Sequence, residues 1–408
     1  MKLRSVLFWL HLGCGVVAGA VILIMSVTGV LLTYQRQITA WADTRGYRIE
    51  PTSQRLSADA IVSRVAELRP DLSPTAVMVR SEPGAPVSLT IGAGRQLFVD
   101  PYTGAVLGEG NGQSVRAFFR VVVEWHRYVA ASGASRPLGR AVTGASNLAF
   151  LFIVLSGLCL WWPRSWKWSV LRNITWFKGG LQGRTRDFNW HNTIGFWSAI
   201  PLAIIVAGGV VISYPWATGL VYRAYGEAPP APAAAAARGG GPGAGSANVA
   251  GPGNGSRGTA ADAGKRAERA HWQMAGVQLD TMISAAAIKM PDWKTFSVPL
   301  PAANVVNAVL TLDAGDGGQP QKRATLTLDR RNGEVVRWEP FSSQSRGRQA
   351  RTWLRFAHTG EVYGLTGQTL AGLVTGGGAV LVWTGIALAL RRFASWRKRG
   401  REAMPKAA

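Results

Sequence analysis

The chain has 408 residues, of which 47% are hydrophobic and only 16% charged, below the usual quarter for soluble domains. Its formal net charge of +23 would suit a nucleic-acid partner if the basic residues covered soluble domains. They cluster beside apolar segments instead, so the charge reads as a topology signal and nucleic-acid binding is set aside.

Ser5–Gln35 contains no Asp, Glu, Lys or Arg and is long enough for a first membrane span, which needs about 20 apolar residues. Ala40-x-Ala42 resembles a signal-peptide cleavage site. The uncharged run before it far exceeds a signal core of about 7–15 residues, so it predicts a retained anchor. Residues 36–111 then predict an exported α+β domain. Ser57 is a candidate N-cap for a helix with Ile61, Val65 and Leu68 on one face, and strands follow at Ala76–Arg80, Val87–Ile91 and Gln96–Pro101. The turn Asp100-Pro-Tyr-Thr-Gly104 closes this block.

Residues 112–163 predict an interfacial helix and a second span, uncharged over Ala141–Pro163, and 164–187 a short basic loop. Phe188–Tyr222 predicts the third span (188–222). An Ala/Gly/Pro tract follows, assigned to 223–264, which buries too little apolar surface to offset its chain entropy and predicts a disordered tether. Residues 265–350 predict a second exported α+β domain, with a helix at Leu279–Lys289 and strands at Thr295–Leu300, Val305–Leu312 and Ala324–Leu328. The fourth span falls within 351–390, uncharged over Val362–Leu390, before a basic tail at 391–408.

The N-terminus, the 164–187 loop and the tail hold 15 basic residues against two acidic ones, while the two long loops, Arg36–Arg120 and Pro215–Ala357, hold 27 against 18. The short basic segments are therefore expected in the cytoplasm and the long loops outside. The two cysteines, Cys14 and Cys159, both lie within spans, so no disulfide framework or thiolate metal site is expected. The tryptophans, 17 in all, read mostly as an interfacial belt.

The chain also repeats itself. His11, Gly29, Val30 and Tyr34 recur as His191, Gly209, Val210 and Tyr214, while Gly139, Gly144 and Gly157 recur as Gly367, Gly372 and Gly385. Asp100…Gly104 recurs as Asp329…Gly333. Both halves start and end on the same side, the signature of a parallel repeat about the membrane normal. The expected fold is thus a four-helix membrane bundle with two exported α+β domains and an internal parallel duplication.

Four of the five histidines sit near span ends, and the repeat pairs His11 with His191 and His126 with His358. His271 has no counterpart. A lone interfacial histidine is ordinarily a satisfied polar residue. Two imidazoles facing across a twofold are what a six-coordinate haem iron takes as axial ligands. Zinc would want four ligands, and the nearby carboxylates are few: Glu124, Glu361 and Asp187. Copper would favour added Met or Cys ligands, and Cys14 lies within one turn of His11. Glycines on the first and third spans would admit a flat macrocycle, or equally close helix packing. Arg127, Arg351 and Arg355 are candidate propionate partners, with interfacial anchoring their ordinary role. His126 precedes Gly139 by four more residues than His358 precedes Gly367, which predicts an extra helical turn or a break near Pro137.

The motifs Leu10-His11, Val99-Asp100-Pro-Tyr-Thr-Gly104, Trp125-His126-Arg127, Ser156-Gly157-Leu158-x-Leu160-Trp161-Trp162-Pro163-Arg164, Trp190-His191-Asn192-x-x-Gly195 and His358-Thr359-Gly360 resemble the PepSY-associated transmembrane helix family. These are iron-regulated membrane proteins that include di-haem siderophore ferrireductases. The resemblance, over about Arg4–Arg392, implies two b-type haems ligated by His11, His191, His126 and His358, with PepSY-like folds in the exported loops. It implies electron transfer to a ferric siderophore or other ferric chelate outside a bacterial inner membrane. No Rossmann or P-loop glycine pattern is present, so a quinol or a separate reductase is the expected donor. An iron or siderophore permease and a PepSY-bearing anchor or regulator are the competing expectations. Neither needs four paired histidines.

Overall fold

The computed structural model describes residues 3–402 apart from 53, 73, 93–94, 164, 230–278 and 301–305. The predicted tether from 230 onward, the start of the second exported segment, His271 and Arg164 lie outside the described residues. The chain divides into two compact units. One comprises Met1–Gln35, Ala117–Ala228 and Ala350–Ala408, and the other Arg36–Arg116 and Pro229–Gln349.

The first unit holds four helices long and apolar enough to cross a membrane, over Leu3–Leu32, Gly133–Trp161, Gly183–Ser213 and Glu361–Arg399. The third and fourth differ from their predicted limits. The uncharged stretch to Tyr222 does not form one span. Pro215 has no N–H to continue the ladder and pushes Tyr214 into extended backbone (φ −121°, ψ 122°), and a new helix begins at Pro215 and runs to Ala224. The last helix, Gly364–Glu402, continues into the expected tail. The first and third spans each pack against both the second and the fourth, so the first and third stand on one diagonal of a four-helix ring. Ala18, Ile22, Phe150, Val154, Leu202, Val206 and Val374 form its buried centre.

In the second unit the expectation of two separate domains is corrected. The strands β1 (Ala76–Arg80), β2 (Val87–Ile91), β3 (Arg95–Val99) and β4 (Val106–Gly108) come from the first loop. The second loop supplies β5 (Thr295–Pro299), β6 (Asn307–Asp313), β7 (Arg323–Asp329) and β8 (Val335–Pro340). All eight form one antiparallel sheet in the order β4-β3-β2-β1-β5-β6-β7-β8. The join is β1 on β5, with Ala76 opposite Pro299 and Arg80 opposite Thr295. A four-stranded sheet standing alone would expose the whole edge of its first strand; pairing the two first strands satisfies both edges. The helices Ala58–Leu68 and Leu279–Lys289 lie over this sheet, and one core draws on both loops: Ile61, Leu89 and Leu97 with Met282, Phe296, Leu310 and Leu326.

The two Asp…Gly turns are built alike. The carboxylate of Asp100 accepts from Tyr102 N at 2.8 Å and that of Asp329 from Arg331 N at 2.8 Å. Each turn ends on a left-handed glycine, Gly104 (φ 71°) or Gly333 (φ 75°), a conformation glycine adopts without steric cost. Ser57 caps the first helix as expected, accepting from Ala60 N at 3.1 Å.

The two helix starts also cap each other. The Asp59 carboxylate accepts from Leu279 N and Asp280 N, both at 3.1 Å, and the Asp280 carboxylate accepts from Ala58 N and Asp59 N at 2.9 and 3.2 Å. Burial, then the neighbouring Asp280, holds the Asp59 carboxyl above its ordinary 3.8. Burial also opposes ionisation of Asp280, yet the N–H groups of the facing helix hold its carboxyl below the ordinary value. A proton held more tightly by folded than by unfolded chain favours folding at low pH, so the Asp59 contribution is lost as pH climbs from about 3.8 through the raised value. Asp280 has the opposite dependence, losing its contribution as pH falls through its depressed value. In Asp59→Asn the first dependence is absent. The midpoint of thermal unfolding, wild type minus variant, is expected to fall as pH rises from about 4 toward neutrality, and a pH-independent difference would contradict this.

Candidate functional site

Two helices outside the spans position the second histidine pair. Gln113–Tyr128 ends just past His126 and Arg346–His358 ends on His358. The four extra residues after His126 form a break: Val129 and Ala130 have positive φ (51° and 58°), and a 3-10 turn at Gly133–Ser135 leads to Pro137 in the first turn of the second span. After His358, Gly360 (φ 75°) and a 3-10 turn at Glu361–Tyr363 do the same in fewer residues. Both connections then reach the same contact. A Cβ added to Gly139 would collide with the Tyr128 carbonyl, and one added to Gly367 with the Gly360 carbonyl, each two residues past its histidine. The imidazole rings of His126 and His358 converge to 6.3 Å between centroids, inclined at 53°.

His126 lies against the first span and His358 against the third. His126 Nδ1 is 3.0 Å from Thr28 Oγ1, and His358 Nδ1 donates to the Ile205 carbonyl at 2.7 Å. At the other end of the bundle His11 Nδ1 is 2.9 Å from Ser156 Oγ and His191 Nδ1 is 3.0 Å from Thr384 Oγ1. Each of the three hydroxyls also has a carbonyl of its own helix within reach. Thr28 donates to Ile24 O at 2.6 Å, Ser156 to Ile153 O at 3.1 Å and Thr384 to Val380 O at 2.8 Å. With its hydrogen on that carbonyl a hydroxyl accepts from its histidine, and the Ile205 carbonyl can only accept. That arrangement puts the proton of all four rings on Nδ1 and leaves a lone pair on Nε2.

Among the described residues those Nε2 atoms make no hydrogen bond, and the one fully buried polar side-chain atom left unpartnered is Trp161 Nε1. None of the four Nε2 atoms is thus fully enclosed, and all four histidines are half-buried. Every ring also sits on a glycine. A Cβ built on Gly157 would come 3.5 Å from His11 Cε1, one on Gly385 3.4 Å from His191 Cε1, one on Gly29 3.5 Å from His126 Cε1 and one on Gly209 3.1 Å from His358 Cε1. Beside Gly209, Asn147 is buried and donates to Val206 O at 3.2 Å.

This donor set can be tested against candidate metals. With a metal–imidazole nitrogen bond of about 2 Å, one ion bridging two rings sets their centroids roughly 6 Å apart, and the His126/His358 separation matches. Among the described residues no cluster of three or more His, Cys, Asp or Glu side chains forms. Nearby carboxylates are engaged elsewhere: Glu124 by Arg136 at 2.9 Å, Glu361 by the Thr359 hydroxyl at 2.9 Å, and Asp187 by Arg186 at 2.9 Å and Arg391 at 3.0 Å. Two nitrogens per site suit a macrocyclic metal that brings its own in-plane donors, and they fall short of zinc's four. Of the candidate propionate partners, Arg127 lies over the Tyr128 ring and Arg355 over the Phe356 ring. Arg351 is exposed one turn before Arg355, on the helical face that also bears His358.

Sequence reasoning missed the Nδ1 acceptors, though they leave a mark. A hydroxyl residue directly precedes the cradling glycine at Thr28-Gly29, Ser156-Gly157 and Thr384-Gly385. At the fourth site Gly208 takes the hydroxyl's place. A Cβ there would stand 2.5 Å from Leu354 O and 3.0 Å from His358 Cβ, so the close approach of the His358 helix requires a glycine and the main chain supplies the acceptor. Gly208→Ala is expected to destabilise the bundle by about 1–3 kcal/mol through overpacking. Gly13→Ala, with nothing within 4 Å of the new Cβ, should leave the midpoint of thermal unfolding in detergent unchanged.

The model of the family described as the PepSY-associated TM region matches residues 8–392. No curated protein matches the chain.

Proposed function

The chain belongs to the PepSY-associated TM region family, and on that premise we propose that it binds two b-type haems and carries electrons across a bacterial inner membrane to reduce ferric chelates such as siderophore-bound iron. The observation that carries this reading is the common setting of the four histidines: Nδ1 held by an oxygen of a neighbouring helix, Nε2 without a hydrogen bond, and a glycine against each ring. A histidine serving only as a satisfied polar residue would not repeat that arrangement four times.

Haem held between His11 and His191, and between His126 and His358, would supply reversible one-electron transfer. The chain's own residues set how well each site binds. The Nδ1 hydrogen bonds fix ring orientation and tautomer and raise the basicity of the ligating nitrogen. The glycines leave room for a flat ligand edge. Arg127, Arg351 and Arg355 supply positive charge for the carboxylates of the His126/His358 site.

His11 and the Thr28-Gly29 seat of His126 lie 17 residues apart on the first span, roughly 26 Å at 1.5 Å per residue. That nearly equals the bilayer core of about 30 Å, so the two pairs suit opposite faces of one membrane. The charge bias assigns His11/His191 to the cytoplasmic face and His126/His358 to the periplasmic face, with both termini inside and both long loops outside. The matched seats, Gly29 with Gly209 and Gly157 with Gly385, support an internal parallel duplication. Ferric iron bound by an oxygen-rich chelator loses affinity on reduction, because those hard ligands favour the more highly charged ion.

A pyridine haemochrome assay on protein purified from haem-replete cells is expected to give about two haems per chain. His191→Ala should lose one and keep the other, and His126→Ala should lose the complementary one. A colourless wild-type preparation would end the proposal.

A further inference from the structure

At the end of the bundle that carries His11 and His191, a cavity of about 660 Å³ opens between the second and third spans and the short helix Trp168–Thr175, within the usual range of roughly 300–1,000 Å³ for small-molecule sites. Six tryptophans line it, and Thr175, itself buried, is the one lining side chain that carries an oxygen. Trp162, Trp166, Trp168, Trp176 and Trp197 are each more than half exposed, so in a membrane the mouth faces lipid at the interface. A ligand reaching it must be lipid-soluble.

The wall of this cavity adjoins the proposed haem site. Trp161 stacks on Phe196 with ring centroids 4.5 Å apart. Trp161 stands one turn beyond Gly157, the seat of His11, on the same face of the second span, and Phe196 stands just over one turn beyond His191. Resting on the reading of His11/His191 as a haem site, we propose that this cavity binds an isoprenoid quinol, the electron donor of the protein.

Three features select a quinol over a lipid acyl chain. The flat aromatic lining offers stacking faces that favour a ring. The Thr175 hydroxyl donates to Leu171 O at 2.8 Å, which leaves its lone pairs to accept a quinol O–H. The Trp161 indole N–H is buried without an acceptor among the described residues. Such a donor is costly to leave unpaired, and a quinol oxygen is an acceptor of the kind it lacks. An acyl chain meets none of these needs. On oxidation the quinol becomes the quinone, releasing two protons to water at the membrane face. Its two electrons would leave singly, and a ferric haem held by His11 and His191 would supply the one-electron acceptor, one quinol reducing two ferric centres to ferrous in turn.

The test is anaerobic calorimetric titration of the full-length, dithionite-reduced protein in detergent with decylubiquinol, with decanol as the chain-matched control. Decylubiquinol is expected to bind saturably and at least tenfold more tightly than decanol. Leu171→Trp, which fills the cavity, and Thr175→Val, which removes the hydroxyl at constant shape, should each weaken it tenfold or more, while pyridine haemochrome reports unchanged haem content. Equal binding of both ligands would mark a lipid groove and overturn the proposal, as would affinity unaffected by either variant. Binding is read without haem, so a haem-free preparation that still binds decylubiquinol in this way supports the cavity while refuting the haem site. A haem-loaded protein that ignores the quinol does the reverse.

Discussion

Everything at the candidate sites depends on where four protons sit. An imidazole is a ligand only at a nitrogen that carries no hydrogen, and which nitrogen that is depends on what the other one touches. Here the choice is made one shell outward. The hydroxyls of Thr28, Ser156 and Thr384 are themselves bound to carbonyls of their own helices, so they have only acceptance left to offer. Helix hydrogen bonding thereby dictates the state of rings on other helices. It does so through side chains that cost little, since a serine or threonine folded back on its own turn is tolerated in apolar spans.

The ring of spans converts this local rule into pairs. The first and third helices share a diagonal and each packs on both the second and the fourth, so every histidine rests against a neighbour in the ring. Glycine sets the spacing. At Gly208 the backbone of the His358 helix comes closer than any Cβ permits, and at Gly139 and Gly367 the carbonyl just past each histidine occupies the place of a side chain. These are packing requirements, and they hold whatever fills the space between the rings. The joined sheet obeys a similar economy, because the two edges that most need partners are the first strands of the two loops and each supplies the other.

Much of this was legible in the sequence. Spans showed as charge-free runs, and the limits of β1, β2 and the Leu279–Lys289 helix agree with the alternation and periodicity of their apolar residues. The third span was read too long because hydropathy does not register the missing amide of Pro215. The sheet was read as two because register between strands more than 200 residues apart leaves no local pattern. The four histidines stood out through their repeat. Their Nδ1 acceptors did not, since a threonine in an apolar helix resembles any other until its neighbour is known. Ile205 could never have been found that way, as a main-chain carbonyl has no letter in the sequence.

That last atom has an evolutionary corollary. Three of the four rings are steadied by side chains, so single codon changes can swap hydroxyl for methyl and retune the basicity of the facing nitrogen. The fourth leans on the peptide backbone, which mutation cannot delete. Drift can thus adjust both members of the His11/His191 pair, but only one member of the other, and the His358 ring is the fixed reference against which its partner varies.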